Sequence, residues 1–207
     1  MGLIGLLMSD PVAFVMLSML LLYSVILHEL AHGWVAYRMG DATAKWLGRL
    51  TLNPLKHLDP IGSLMLLIIG FGWAKPVPIN SQNLPDPQFD EVKVAIAGPL
   101  TNLGLAIIAA GLARVLPMSS LTDWLVSVVQ LNLVLALFNL VPIPPLDGSR
   151  LLAVILPESV YHGLQRINTV VAFLVLFVLI QSAAFSDWLG RTVGYLATLL
   201  LGKTIGV

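Results

Sequence analysis

The sequence predicts an all-α polytopic membrane protein, and three observations carry that expectation. Hydrophobic residues fill 57% of the 207 positions and charged residues only 11%, a balance seldom met in a soluble chain of this length. Several apolar runs approach or exceed the roughly 20 residues that a helix needs to cross hydrocarbon. An ionisable cluster, His28-Glu29-Leu30-Ala31-His32, lies inside the first of these runs and not in a polar loop. Lysine plus arginine number 11, as do aspartate plus glutamate. That balance points neither to nucleic acid nor to a polybasic lipid-binding surface. Cysteine is absent, which excludes disulfides and thiolate metal sites and leaves histidine and carboxylate as ligands.

Taken in order, Met1 to Asp10 lacks a positive region before its apolar stretch and reads poorly as a cleaved signal peptide. Val12 to Arg38 is the first span and carries the histidines in its second half. Val92 to Leu116 supplies a second span, Trp124 to Val141 a third, and Val170 to Phe185 a shorter fourth. Pro60 to Trp73 is apolar but short. Trp188 to Leu201 is short as well and contains Arg191, so it suits either a final span or an amphipathic helix at the interface. No internal repeat or domain-sized soluble insertion interrupts the chain. Residues 1–207 therefore read as one domain, with a core at about 12–156 and C-terminal helices at 158–207.

Loop charge predicts the orientation. Arg38, Lys45, Arg49 and Lys56 follow the first span, against Asp41 and Asp59. This densest basic cluster belongs on the cytoplasmic side, with the N-terminus outside. His28 then lies roughly 15 Å from the cytoplasmic end of its helix, at about 1.5 Å per residue. If Pro60 to Trp73 crossed fully, Asp147 would emerge on the opposite side from the histidines. Leu58 to Asn80 is therefore expected to be a short re-entrant strand or loop, dipping in and returning. Irregular backbone at that depth needs protein or a water-filled cavity around it.

Histidines four residues apart on a helix share a face, so both imidazoles can reach one metal ion. The adjacent Glu29 is then placed to take a proton from water at that metal. The alternative is a helix whose histidines line a polar cavity, but ionisable groups deep in an apolar span are functional by default. A catalytic zinc takes three protein ligands and keeps a fourth position open. Asp147 is the candidate for the third. It ends the run Asn139-Leu140-Val141-Pro142-Ile143-Pro144-Pro145-Leu146-Asp147-Gly148, where prolines break the helix and Gly148 permits a turn. Its alternative role is the cap of a following helix, Ser149 to Leu156.

The pair of motifs, His28-Glu29-x-x-His32 and Asn139-x-x-Pro142-x-Pro144-x-Leu146-Asp147-Gly148, resembles the site-2 protease family of intramembrane zinc metalloproteases. Gly48 to Pro54, Phe71 to Asn80 and Ala97 to Asn102 extend the likeness, which runs to about Leu156. It fits the compact prokaryotic branch without PDZ or CBS modules. The resemblance implies one Zn2+ held by His28, His32 and Asp147, with Glu29 as general base. It further implies a multi-pass cell-membrane endopeptidase that cuts transmembrane or membrane-associated proteins toward the cytoplasmic side, in regulated intramembrane proteolysis. The competing class is a metal-ion transporter or non-catalytic scaffold using the same ligands.

Asn139 and Asn102 are candidates for binding the substrate carbonyl or its oxyanion, against a plain interhelical hydrogen bond for each. Pro76, Val77 and Pro78 are candidates for substrate docking. Alternating prolines leave one edge of an extended chain without donors and put those of Val77 and Ile79 on the other, so the segment is expected to offer an edge to an unwound substrate, against the alternative of a loop merely packed under the active site. His57 is expected to be an interfacial polar residue at the mouth of the re-entrant element.

Overall fold

A computed structural model of the chain describes residues 3–69, 72–117 and 120–202. Packing divides it into two compact units, Met1–Pro85 and Asp86–Val207.

The first unit holds α1 (Leu3–Ser9), α2 (Pro11–Arg38), α3 (Thr43–Trp46) and α4 (Pro60–Ile69). The long helix α2 begins where the sequence stops being able to start later. Pro11 occupies its first turn, and the Asp10 carboxylate accepts the Ala13 N–H at 2.9 Å, a proline-plus-aspartate start. Its buried residues include Ser24, His28, His32 and Ala36. Four-residue spacing stacks these on one stripe, so the face that α2 buries is the histidine face.

The short apolar segment after α2 turns back, as expected. α4 has 10 residues and rises only about 15 Å, half the roughly 30 Å of bilayer hydrocarbon. The chain before and after it meets again: Lys75 donates its N–H to the His57 carbonyl at 2.8 Å. A Cβ placed on Gly62 would stand 2.1 Å from the Trp73 carbonyl oxygen, so the returning strap runs directly against α4. The strand half of that expectation does not form. Among the described residues there is no strand, and Gly72 to Asn80 has no regular structure. Pro76 and Pro78 lack amide donors, and the donors of Lys75 and Val77 go to a loop carbonyl and a side chain, so no ladder can build.

The second unit contains α5 (Pro87–Val115), α6 (Ser120–Asn139), α7 (Gly148–Leu151), α8 (Glu158–Gln165), α9 (Thr169–Gln181) and α10 (Ala183–Leu201). Its core joins α5, α6 and α10. Ala106, Ala109, Ala110 and Ala113 of α5 meet Val129 and Leu133 of α6 and Val193, Ala197 and Leu201 of α10. Small residues let helix backbones approach closely where lipid supplies no hydrophobic drive between helices. Of the small residues in α5, the alanines do this packing; Gly104 and Gly111 have nothing within 4 Å of a built Cβ. In the last segment, Val193, Ala197 and Leu201 recur every four residues and pack α10 against α5 and α6. Arg114 extends from the end of α5 to donate to the Leu199 carbonyl at 2.8 Å, which satisfies an orphan acceptor at the end of α10.

One expected span is corrected. Val170 to Phe185 is not continuous, because the helix stops at Gln181 and restarts after Ser182 with a bend of 71°. Ser182 is extended (φ −73°, ψ 123°) and so cannot carry the helix through. Thus α2, α5 and α6 are each long and apolar enough to cross a membrane, and α9 with α10 could form a fourth, broken span.

Candidate active site

His28 and His32 are each 6% exposed, and their ring centroids lie 4.6 Å apart with the planes nearly perpendicular. Two imidazole nitrogens about 2.0–2.1 Å from a shared tetrahedral zinc stand roughly 3.4 Å apart. Rings at this separation and angle can present nitrogens at that distance, so the donor pair fits the metal. Glu29, between them in sequence, does not point into solvent: its Oε2 accepts the Val77 N–H at 2.8 Å.

That contact occupies one of the two edges of the strap. In an extended chain, the N–H and C=O of one residue share an edge and the next residue uses the other. Lys75 uses both groups inward, with its N–H on His57 and its carbonyl accepting from the Arg49 guanidinium at 2.7 Å. Val77 then directs its N–H to Glu29 and is itself buried. The donor edge faces α2, and the opposite edge, that of Pro76 and Pro78, has acceptors only. Gly33, directly after His32, makes room for this. A Cβ there would lie 2.5 Å from Leu50 Cδ2 and 2.9 Å from Val77 Cγ1.

Asp41 anchors the far end of the strap. It is fully buried, yet accepts the Asn80 N–H at 2.7 Å, the Asn83 amide at 2.8 Å, the Thr43 N–H at 3.1 Å and the Thr43 hydroxyl. Burial pushes its pKa up, but the bonds from Thr43, Asn83 and Asn80 outweigh burial and hold it below the usual carboxylate value. Because the folded value is the lower one, this stabilisation is present above the ordinary carboxylate range and is lost as pH falls through the lowered value.

His57, at the mouth of the returning segment, is buried in protein. It is 1% exposed, its Nε2 donates to the Thr51 carbonyl at 2.8 Å, and its buried Nδ1 has no partner. Asp41, Arg49 and His57 were all missed by sequence reasoning as site supports. Their only sequence signal was polarity inside the well-patterned stretch between Arg38 and Pro60.

In the second unit, Asp147 occupies the cap position of α7, yet its side chain makes no capping hydrogen bond. The capping alternative is therefore not realised. The turn before it depends on Gly148, where a Cβ would collide with Leu140 O at 2.2 Å and Val141 O at 2.5 Å. Backbone oxygens cannot swing aside as a side chain would. Gly148→Ala is accordingly expected to cost about 3 kcal/mol, at the upper end for overpacking. A lowered unfolding midpoint in detergent, with zinc lost in parallel, checks this.

The two asparagine candidates have other partners. Asn102 and Asn132 are both fully buried, and the Asn102 amide donates to Asn132 Oδ1 at 2.8 Å. This is the interhelical bond between α5 and α6 that was the alternative role for Asn102. Asn139 donates its amide to the Leu135 carbonyl, one turn back on its own helix, at 2.9 Å.

Comparison with known proteins agrees with the motifs. The profile described as Peptidase family M50 matches residues 16–125 and 115–182. A Bacillus subtilis (strain 168) protein named "Putative zinc metalloprotease YwhC" is 46% identical over 170 residues, spanning 76% of this chain and 78% of that protein. "Putative zinc metalloprotease Rip2" of Mycolicibacterium smegmatis is 31% identical over 175 residues, 81% of this chain and 67% of that protein. "Zinc metalloprotease MJ0392" of Methanocaldococcus jannaschii is 30% identical over 153 residues, 73% of this chain and 38% of that protein. No solved structure gives a significant match. With a zinc-competent histidine pair, a neighbouring carboxylate, helices long enough to span a membrane and a family match over most of its length, the chain belongs to peptidase family M50, the site-2 protease family, and is a zinc metalloprotease.

Proposed function

We propose that the protein is an intramembrane endopeptidase that hydrolyses peptide bonds within or near the transmembrane segments of other membrane proteins, toward the cytoplasmic side of a multi-pass cell-membrane fold. The observation that supports this most is the buried histidine stripe of α2 with Glu29 beside it, in a 28-residue apolar helix. The basic loop after α2 supports the orientation. The family match crosses residue 85, where the two units divide, which supports a single peptidase domain.

In this proposal His28, His32 and Asp147 hold the zinc. When bound, zinc makes water nucleophilic at neutral pH and polarises the substrate carbonyl. Glu29 removes the proton from the attacking water as the oxygen adds to the carbonyl carbon. It then delivers that proton to the amide nitrogen as the C–N bond breaks. His28 and His32, buried and fixed on one helix stripe, exclude bulk water from their side of the reaction. The substrate helix must unwind first, since its scissile carbonyl is otherwise hydrogen-bonded within the helix. We propose that the unwound segment docks along the strap at Pro76, Val77 and Pro78, giving its N–H groups to the carbonyls of the two prolines.

Purified protein in proteoliposomes, supplied with a single-span substrate, tests the proposal. Cleavage is expected, is abolished by a chelator and returns with zinc. Zinc flux without proteolysis would replace it with the transporter class. If Pro76→Ala and Val77→Pro both leave cleavage rates and sites untouched, the docking role is wrong.

A further inference from the structure

Asp41 and Arg49 have no part in the chemistry above, yet both are buried, at 0% and 7% exposure. Buried charged groups are costly unless they are well paired, so what they hold matters. Asp41 grips the far end of the strap through the Asn80 N–H at 2.7 Å and the Asn83 amide at 2.8 Å. Arg49 grips the near end through the Lys75 carbonyl at 2.7 Å, while its Nε is buried with no partner. A guanidinium left partly unsatisfied marks a group held in place for the one bond it makes. Between the two grips lies Val77, whose N–H ends on Glu29 Oε2 at 2.8 Å.

We infer that Asp41 and Arg49 are positioning residues for peptide hydrolysis: they stretch Lys75 to Asn80 between them so that the Val77 N–H holds Oε2 of Glu29 and leaves Oε1 to carry the proton. The inference rests on Glu29 being the general base. The terminal torsion of a glutamate is broad and roughly two-fold, so a carboxylate without this tether samples orientations that cannot reach the water. The tether is a backbone amide, which a side-chain substitution at Val77 leaves in place unless proline is introduced. Its position is set from both ends by side chains 26 and 39 residues away in sequence from the residues they hold.

Asp41→Asn and Arg49→Met in the purified full chain test this, with zinc per chain, kcat and KM measured together. Each is expected to lower kcat by about 10- to 100-fold, the scale of a small misplacement at a reacting centre, while zinc content stays at the wild-type value; any rise in KM reports the docking role of the same strap. Asp41→Asn combined with Asn83→Asp reverses the donor and acceptor between positions 41 and 83 and leaves an oxygen at position 41 for the Asn80 N–H, giving up only the bond from the Thr43 N–H. It is expected to recover much of the lost kcat. Wild-type kcat in both single variants, alongside an inactive Glu29→Gln, overturns the positioning role and leaves the base intact. Undiminished hydrolysis by Glu29→Gln overturns the base itself. A loss that falls on zinc content or on folding, and that the double variant does not recover, also overturns the positioning role.

Discussion

Glu29→Gln protein is expected to bind zinc at the wild-type level while kcat for peptide hydrolysis falls by about 10²- to 10⁴-fold, the range for removing a general acid–base group. Glutamine matches glutamate in size and can still accept the Val77 N–H that now reaches Oε2, so the strap has a partner and the helix is unperturbed. What disappears is the basicity needed to take the water proton and return it to the amine. Metal analysis together with single-turnover cleavage separates the two effects. A comparison of membrane proteomes from cells carrying wild-type or Glu29→Gln protein extends the same test to substrates, which should accumulate uncut in the variant. Full proteolysis by purified Glu29→Gln would remove Glu29 from the mechanism.

His28→Ala and Asp147→Ala are expected to behave differently, losing zinc and hydrolysis together. A zinc that keeps one open position has only three protein ligands, so deleting one leaves two and weakens retention sharply. For His28 the expectation rests on a ring 6% exposed and 4.6 Å from its partner ring. For Asp147 it rests on the ligand set proposed above. Asp147→Ala is expected to lose metal as His28→Ala does. Zinc per chain after dialysis against a weak chelator, set beside the unfolding midpoint, is the deciding pair of measurements. An Asp147→Ala protein that keeps its zinc would exclude Asp147 from the ligand set.

Much of this was legible in the sequence where the governing interaction is local. Histidines at positions 28 and 32 share a stripe because 3.6 residues make a turn, and the structure puts both rings on the buried face of α2. The return of the chain after α4 followed from the shortness of its apolar run. The continuity of Val170 to Phe185 was misjudged because hydropathy is blind to backbone direction, and its average over the run hides the polar pair Gln181-Ser182 at the bend. Which edge of the strap is occupied was not legible for a related reason. Proline spacing shows which residues lack donors, but not which way the neighbouring donors turn.

By itself, then, the sequence determined that apolar helices long enough to span a membrane are present, that two histidines and a glutamate share one helix turn, and that the chain resembles a zinc protease family. Composition and helical periodicity suffice for the first two, since both act within one or a few turns. Only the tertiary structure decided that the Val77 N–H rests on Glu29, that Asp41 holds Asn80 and that Asn102 pairs with Asn132. These partners stand 48, 39 and 30 residues apart. Buried polar groups take whatever partner the fold brings to them, and no local pattern names a partner at that distance.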